Sequence, residues 1–211
     1  MERITSYFTT ASRWGYKMIK HDYTTYDLFG LWGFDMLKNN FTSDGWHFND
    51  QSKTSAEIVL GLYKNLHKAG NGALLIGCNT LSHLSAGIFE LQRTGDDTSG
   101  REWARTKKMG INTLAFRMPQ HRNFYDLDAD CVGLTTQVPW ALNKQWLDLL
   151  SRSGTALFIS ASTEALVPEV RKSIREAFTR ASEVQLNAEP LDWMENLTPS
   201  KWKFNGQCIR L

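Results

Sequence analysis

Short apolar runs alternate with amphipathic stretches along these 211 residues, and this alternation limits the possible folds more than any other feature. The apolar runs have the length of strands, and the amphipathic stretches have the length of helices. The strand-like runs lie within 16–22, 73–77, 88–97, 124–133 and 155–161. Strands separated by helices of this length predict parallel βαβ units.

Local signals predict the helices between these strands. Thr54 and Glu57 form a T-x-x-E capping box ahead of apolar residues at helical spacing, and Gly70 should end that helix. Other helices are predicted over about 3–13, 101–109, 142–154 and 170–178. The helix from 101 should stop at Gly110, and "INTLAFR" after it is strand-like. Residues 24–53 predict a long loop, whose aromatic content favours a functional role.

Parallel βαβ units occur mainly in two arrangements, and the sequence favours one of them. No glycine-rich GxGxxG or GxxxxGK[ST] loop follows any strand-like run, so a nucleotide-binding doubly wound sheet is disfavoured. The other arrangement is the (β/α)8 TIM barrel, of which five strands would supply a part. The tail from 184 to 211 has period-2 hints and turn residues. We therefore predict an α/β fold with a partial (β/α)8 barrel over 1–183 and the beginning of a C-terminal β-domain over 184–211.

Composition excludes several classes of partner. The net charge is +2, no block of five like charges occurs, and no apolar run approaches the ~20 residues of a membrane span, so we expect neither nucleic acid nor a membrane as partner.

The three cysteines are far apart and form neither a disulfide framework nor a CxxC metal pair. Eight tryptophans are more than a core of this size usually requires, and their flat apolar faces suit the apolar faces of sugar rings. The alternative, that they simply fill the core, holds for about half of them.

Polar residues follow the strand-like runs, and this is where barrel enzymes carry their chemistry. Three of the five strands end in acids, in "KHD" (20–22), "RTGDD" (93–97) and "DAD" (128–130). Strand ends also carry acids simply because they meet solvent, but carboxylates that converge on one pocket suit cleavage of a glycosidic bond. Lys20 and Asp22 should project from the same side of their strand, and a neighbouring cation favours the ionised carboxylate that a nucleophile requires.

A second interpretation takes Asp22, Asp96 and the DxD motif at 128–130 as oxygen ligands of a divalent metal in a hydrolase. The close lysine opposes that interpretation, since a cation at the site repels a metal ion. The histidines show no HxxxH or HxH spacing and are more typical of structural or solvated positions.

Several segments together resemble the α-galactosidase/melibiase-type glycoside hydrolases, a retaining clan with a (β/α)8 catalytic barrel. "WGYKMIKHDY" resembles the fourth-strand segment of that family, and "GCN" resembles the end of the fifth strand. "QRTGDDTSGREW" resembles the sixth-strand motif, "YDLDADCVG" the seventh-strand segment and "SGTALFISA" the eighth. The likeness covers about residues 5–180.

The resemblance implies roles for eight residues. Asp22 would be the nucleophile and Asp96 the acid/base, with Asp97 as the competing choice for the acid/base under an alternative alignment. The implied contacts to the sugar are made by Lys20, Cys78, Asn79, Arg93, Asp97 and Asp130. The resemblance implies retaining hydrolysis of terminal α-D-galactosides by a two-aspartate mechanism, without metal or organic cofactor, and with a carbohydrate as partner.

The family's first three strands have no counterpart in these residues, so we expect a fragment that spans strands four to eight. An alternative function is that of a degenerate, non-catalytic carbohydrate-binding barrel protein.

Overall fold

The computed structural model describes residues 1–28, 47–183 and 187–210. These residues form two compact units, which meet in sequence between Arg93 and Thr94. Both units contain parallel strands and helices, so the predicted α/β class is confirmed. Most of the predicted loop over 24–53 lies outside the described residues.

Unit 1 is a helix-covered sheet of short parallel strands. Its elements are α1 (Glu2–Arg13), β1 (Met18–Asp22), α2 (Thr24–Leu28), α3 (Ser55–Gly70), β2 (Leu74–Cys78), α4 (Ser82–Ser85) and β3 (Leu91–Arg93). Strand β2 lies between β1 and β3 and is parallel to both, with Asp22 opposite Cys78. The prediction that a loop begins at residue 24 is wrong, since α2 covers Thr24–Leu28. That prediction came from glycine, aspartate and aromatic content and not from periodicity.

The core of unit 1 lies between α1, α3 and the sheet. The predicted capping box is confirmed, with the Glu57 backbone N–H donating to Thr54 Oγ1 at 3.2 Å and the Thr54 N–H donating to Glu57 Oε2 at 2.8 Å. The helix ends at Gly70, and Asn71 then adopts a left-handed conformation. The buried core residues are Ile4, Phe8, Val59, Leu62, Tyr63, Leu66, Leu75 and Phe89. The core of unit 1 therefore joins α1 and α3 to β2.

Unit 2 combines parallel strands, helices and a small antiparallel sheet. Its elements are α5 (Trp103–Arg105), a π-helical segment (Thr106–Ile111), α6 (Asn112–Arg117), β4 (Asp126–Asp128), β5 (Cys131–Leu134), α7 (Trp140–Ser153), β6 (Phe158–Ala161), α8 (Pro168–Ala181), β7 (Ala188–Pro190), β8 (Lys201–Phe204) and β9 (Gln207–Arg210). Strands β5 and β6 are parallel, and β7, β8 and β9 form an antiparallel sheet. Helices α7 and α8 match their predictions, and β7, β8 and β9 lie where period-2 hints indicated strands. The separate C-terminal β-domain over 184–211 stays a prediction.

The helix predicted over about 101–109 is confirmed, but its predicted end and the strand predicted after it are wrong. The predicted helix does not stop at Gly110, and "INTLAFR" is helical rather than a strand, because α5, the π-helical segment and α6 are continuous. Gly110 is instead a point of close packing, since a Cβ there would lie 2.9 Å from the Trp146 ring. A glycine that makes room for an indole looks the same in sequence as a glycine that ends a helix.

The stretch 124–133 is predicted as a strand that ends in Asp128 and Asp130. Strand β4 does end at Asp128, but a second strand, β5, begins at Cys131 and is not predicted. Asp130 has a φ of 74°, a left-handed conformation that ends strand pairing, and its N–H donates to Asp128 Oδ1 at 2.9 Å. Aspartate tolerates this conformation better than most residues. The partial (β/α)8 barrel stays a prediction.

No helix within 1–28, 47–183 or 187–210 combines the length and the apolar character that a membrane crossing requires.

Candidate functional site

Asp22 and Lys20 project from the exposed face of β1, as predicted from their spacing. Burial alternates along the strand, with Lys20 and Asp22 exposed and His21 buried between them. The Asn79 side-chain amide donates from Nδ2 to Asp22 Oδ1 at 2.7 Å. This bond joins the carboxyl ends of β1 and β2, and it orients the carboxylate from a residue 57 positions away in the chain.

Cys78 lies beside the same carboxylate. Its thiol hydrogen-bonds to Asp22, and burial together with the negative charge of Asp22 raises the pKa of the thiol to about 11. The cations Lys20 and Arg93 act in the opposite direction on that pKa. Cys78 is therefore a neutral thiol at neutral pH, able to donate a hydrogen bond but not to act as a thiolate nucleophile.

Five of the eight predicted residues therefore belong to one group in unit 1, which we call the strand-end cluster. It consists of Lys20, Asp22, Cys78, Asn79 and Arg93. The cluster lies at the ends of three parallel strands. Its two cations, its amide and its thiol can donate hydrogen bonds, and its carboxylate can act as an acceptor or a nucleophile. Such a combination can bind a neutral polyhydroxylated ligand and place a carboxylate against it.

Gln92 fixes this edge of the sheet, and the sequence analysis did not single it out. It is buried, and its Nε2 donates to the carbonyls of Gly77 at 3.0 Å and Arg93 at 2.9 Å. Its Oε1 accepts from the hydroxyls of Thr80 and Ser85. A Cβ at Gly77 would lie 2.6 Å from Gln92 Oε1 and 2.9 Å from the Phe89 ring, so a larger residue there would displace the Gln92 side chain. In the sequence, the available sign of this role was that Gln92 stands next to the predicted site residue Arg93.

The Tyr63 hydroxyl ties the elements that flank the cluster. It accepts the Leu81 N–H at 2.8 Å and lies 2.8 Å from Thr25 Oγ1. Thr25 belongs to α2, directly after β1, and Leu81 follows the end of β2. The hydroxyl of a core residue therefore holds both segments that leave the strand-end cluster.

His21 lies behind the cluster, on the buried face of β1. Its ring is 5% exposed and sits edge-on to the rings of Phe8 and Phe89, at centroid distances of 5.4 and 4.7 Å. Nδ1 is 2.9 Å from Thr24 Oγ1, whereas Nε2 has no hydrogen-bond partner among the described residues. Burial lowers the pKa of His21 to about 4, and the charge of Asp22 offsets this only in part.

We predict that His21 makes the fold acid-sensitive. A histidine whose folded pKa lies below its unfolded value stabilises the fold fully above pH 6.5, and this contribution is lost as the pH falls from 6.5 through 4. The difference between 6.5 and about 4 corresponds to about 3 kcal/mol of unfolding free energy. Urea unfolding across this range should show a weaker pH dependence in His21→Phe than in the parent. The exposed His83→Phe variant is the control, and equal pH dependence in all three proteins would contradict the prediction.

Asp96 and Asp97 lie at the start of unit 2 and share one arginine. Arg105 donates from a terminal nitrogen to Asp96 Oδ2 at 2.8 Å and from Nε to the Asp97 carbonyl at 2.6 Å. The Asp96 side chain is 63% exposed, and its Oδ1 accepts the Asp97 N–H. No motif in the sequence pointed to Arg105, because the irregular segment between the two residues hides their proximity.

Asp130 is buried and faces a neighbouring threonine. Its Oδ2 accepts from the Thr98 N–H at 2.6 Å and from Thr98 Oγ1 at 2.9 Å. In unit 2 it therefore connects the turn after β4 to the segment that carries Asp96. The predicted contact of Asp130 with a sugar stays a prediction, as does the separation between the carboxyl groups of Asp22 and Asp96.

Metal ligands do not cluster in the part of the chain that the structure describes. Within that part, no three His, Cys, Asp or Glu side chains are grouped as a metal ion would require.

Comparison with known proteins gives a match in structure. No family model matches the chain, and no curated protein matches it in sequence. The α-galactosidase TtGalA from Thermus thermophilus, solved in complex with p-nitrophenyl α-D-galactopyranoside, superposes with a TM-score of 0.55 at 18% identity over 98% of this chain. The same enzyme with stachyose gives 0.52 at 17% identity over 83% of this chain.

The chain spans 37–39% of the length of these structures. At this identity the likeness concerns the fold rather than the chemistry. The expectation of a glycosidase fold is thereby supported independently of the motifs, and the chain shares its fold with part of an α-galactosidase.

Proposed function

We propose that this chain carries the catalytic carboxylates of a retaining glycosidase that hydrolyses terminal α-D-galactosides. The observation that carries the proposal is the strand-end cluster, in which the Asp22 carboxylate is oriented by Asn79 and Cys78 beside two cations. The fold likeness to an α-galactosidase supports the same substrate class. In such folds the catalytic groups lie at the carboxyl ends of the parallel strands.

The proposed reaction has two steps. Asp22 attacks the anomeric carbon of the galactoside while Asp96 donates a proton to the glycosidic oxygen, so that the bond to the leaving group breaks and a galactosyl ester forms on Asp22. Asp96, now ionised, then takes a proton from water, and the oxygen of that water displaces Asp22 from the anomeric carbon. The sugar hydroxyls would be bound by Lys20, Asn79 and Arg93, with Asp97 and Asp130 as further predicted contacts.

A non-catalytic carbohydrate-binding protein is the second candidate function, and the composition of the strand-end cluster favours it. The cluster holds donors for sugar hydroxyls within unit 1 alone, whereas Asp96 belongs to unit 2. A strand-end cluster that binds galactosides by itself would then act without hydrolysis.

Hydrolysis of p-nitrophenyl α-D-galactopyranoside, followed by proton NMR, separates these functions. A retaining enzyme should release α-galactose first, because two displacements restore the configuration, and it should ignore the matched β-galactoside. Early release of β-galactose would contradict the two-step mechanism. Saturable galactose binding without hydrolysis would support the second candidate, and neither binding nor hydrolysis would contradict both.

A further inference from the structure

The segment 94–100, which we call the Asp96 loop, is attached firmly at both of its ends. The Thr94 N–H donates to the Asp128 carbonyl at 3.0 Å. Thr98 bonds to Asp130 through both its N–H and its hydroxyl, and the hydroxyl also lies 2.8 Å from the Cys131 carbonyl. The backbone on either side of Asp96 and Asp97 therefore has fixed partners on β4 and the turn that follows it.

Glycines bring this loop against its neighbours. A Cβ on Gly95 would overlap the carbonyl oxygen of Met109 in the π-helical segment. A Cβ on Gly133 of β5 would lie 2.6 Å from the Gly100 nitrogen. The loop thus lies in direct backbone contact with the helix on one side and with a strand on the other.

Between these attachments, Arg105 holds the two aspartates. Its Nε donates to the Asp97 carbonyl and its terminal nitrogen to the Asp96 carboxylate. A planar guanidinium that bonds to a main-chain oxygen and to a side chain at once fixes the direction of both. Arg105 itself is the last residue of α5 and is only 37% exposed, so its position is set by the helix.

We propose that Arg105 is a positioning residue for the acid/base step, directing the Asp96 carboxyl group through its paired contacts with Asp96 and Asp97. This inference rests on the proposed function. A partly exposed ion pair contributes little to folding stability. We therefore assign the contacts of Arg105 to the orientation of Asp96 rather than to stability. Proton transfer to the glycosidic oxygen requires the acid within hydrogen-bond reach, and small displacements of a catalytic group reduce the rate strongly.

The test compares two galactosides that differ in their leaving group. Methyl α-D-galactoside needs a proton from the acid before methanol can leave, whereas p-nitrophenolate leaves without one. In Arg105→Gln, kcat/KM should fall about 10- to 100-fold for the methyl substrate and less than about 3-fold for the p-nitrophenyl substrate. Arg105→Lys, which keeps the charge but not the planar pair of bonds, should fall between the parent and Arg105→Gln.

The control is Arg101→Gln, the same chemical change at an exposed arginine four residues earlier. It should match the parent on both substrates. Equal losses on the two substrates in Arg105→Gln would show a merely structural role and overturn the inference, as would unchanged kinetics.

Hydrogen–deuterium exchange separates this inference from the proposed function. If the parent hydrolyses neither galactoside, the proposed catalysis fails, and amide exchange over 94–98 then decides the positioning role. Exchange there should become about tenfold faster in Arg105→Gln, since the loop loses its central attachment, and should be unchanged in Arg101→Gln. Unchanged exchange in Arg105→Gln would overturn the inference.

Discussion

Replacing Asp22 by alanine is expected to lower kcat for p-nitrophenyl α-D-galactoside by at least about 10⁴-fold, since removal of a nucleophile leaves only binding and residual electrostatic stabilisation. The substitution removes the acceptor of the Asn79 amide and the partner of the Cys78 thiol but opens the exposed face of β1 rather than the core. Folding should therefore persist while turnover stops.

Azide distinguishes loss of the nucleophile from general damage. A small anion can enter the space left by the carboxylate and attack the anomeric carbon, so added azide should restore part of the activity and release a galactosyl azide of inverted configuration. The matched control is Asp50→Ala, at an exposed aspartate of the same unit that bonds to Lys53 and Ser52. Parent-level activity in Asp22→Ala would contradict the assignment, and so would equal loss in Asp50→Ala.

Replacing Trp146 by alanine is expected to lower the free energy of unfolding by about 3 to 5 kcal/mol. Trp146 is 1% exposed, lies against Gly110, and donates from its indole Nε1 to the Cys131 carbonyl at 3.2 Å. The substitution would create a cavity between α7, the π-helical segment and β5, and it would remove one of the hydrogen bonds that the Cys131 carbonyl accepts.

Urea denaturation measures this loss, and Trp14→Ala is the matched control. Trp14 is 73% exposed after the end of α1, so its removal should change stability by no more than about 0.5 kcal/mol. Similar losses in both variants would contradict the assignment of Trp146 to the core. The comparison also tests whether the abundance of tryptophan reflects packing, because Trp146 and Trp202 are both buried.

Local signals predicted those elements whose ends are marked in the chain itself. The capping box at Thr54 begins α3, and Gly154 follows α7 in a left-handed conformation, as a helix end requires. The polar residues that end β1 and β2 were predicted for the same reason, since an apolar run must stop where the core stops. Period-two alternation likewise predicted that Lys20 and Asp22 share a face.

Local signals misled where a residue serves a distant neighbour. Gly110 was interpreted as a helix end, but its role is to admit the Trp146 ring. The prediction for 124–133 has one strand that ends at the acids 128–130, and it misses β5, which begins at Cys131. The left-handed conformation of Asp130 separates β4 from β5, and the partners that hold Asp130 there include Thr98, 32 residues earlier.

The sequence by itself determined the order of helices and strands in most of the described chain, and it predicted candidate site residues at strand ends. Only the tertiary structure decided their partners, which are Asn79 and Cys78 for Asp22 and Arg105 for Asp96. It also decided that Gln92 holds the backbone carbonyls of Gly77 and Arg93. The physical reason is that periodicity and capping act within a few residues. Hydrogen bonds between strand ends depend on strand register and helix packing, which join residues far apart in the chain.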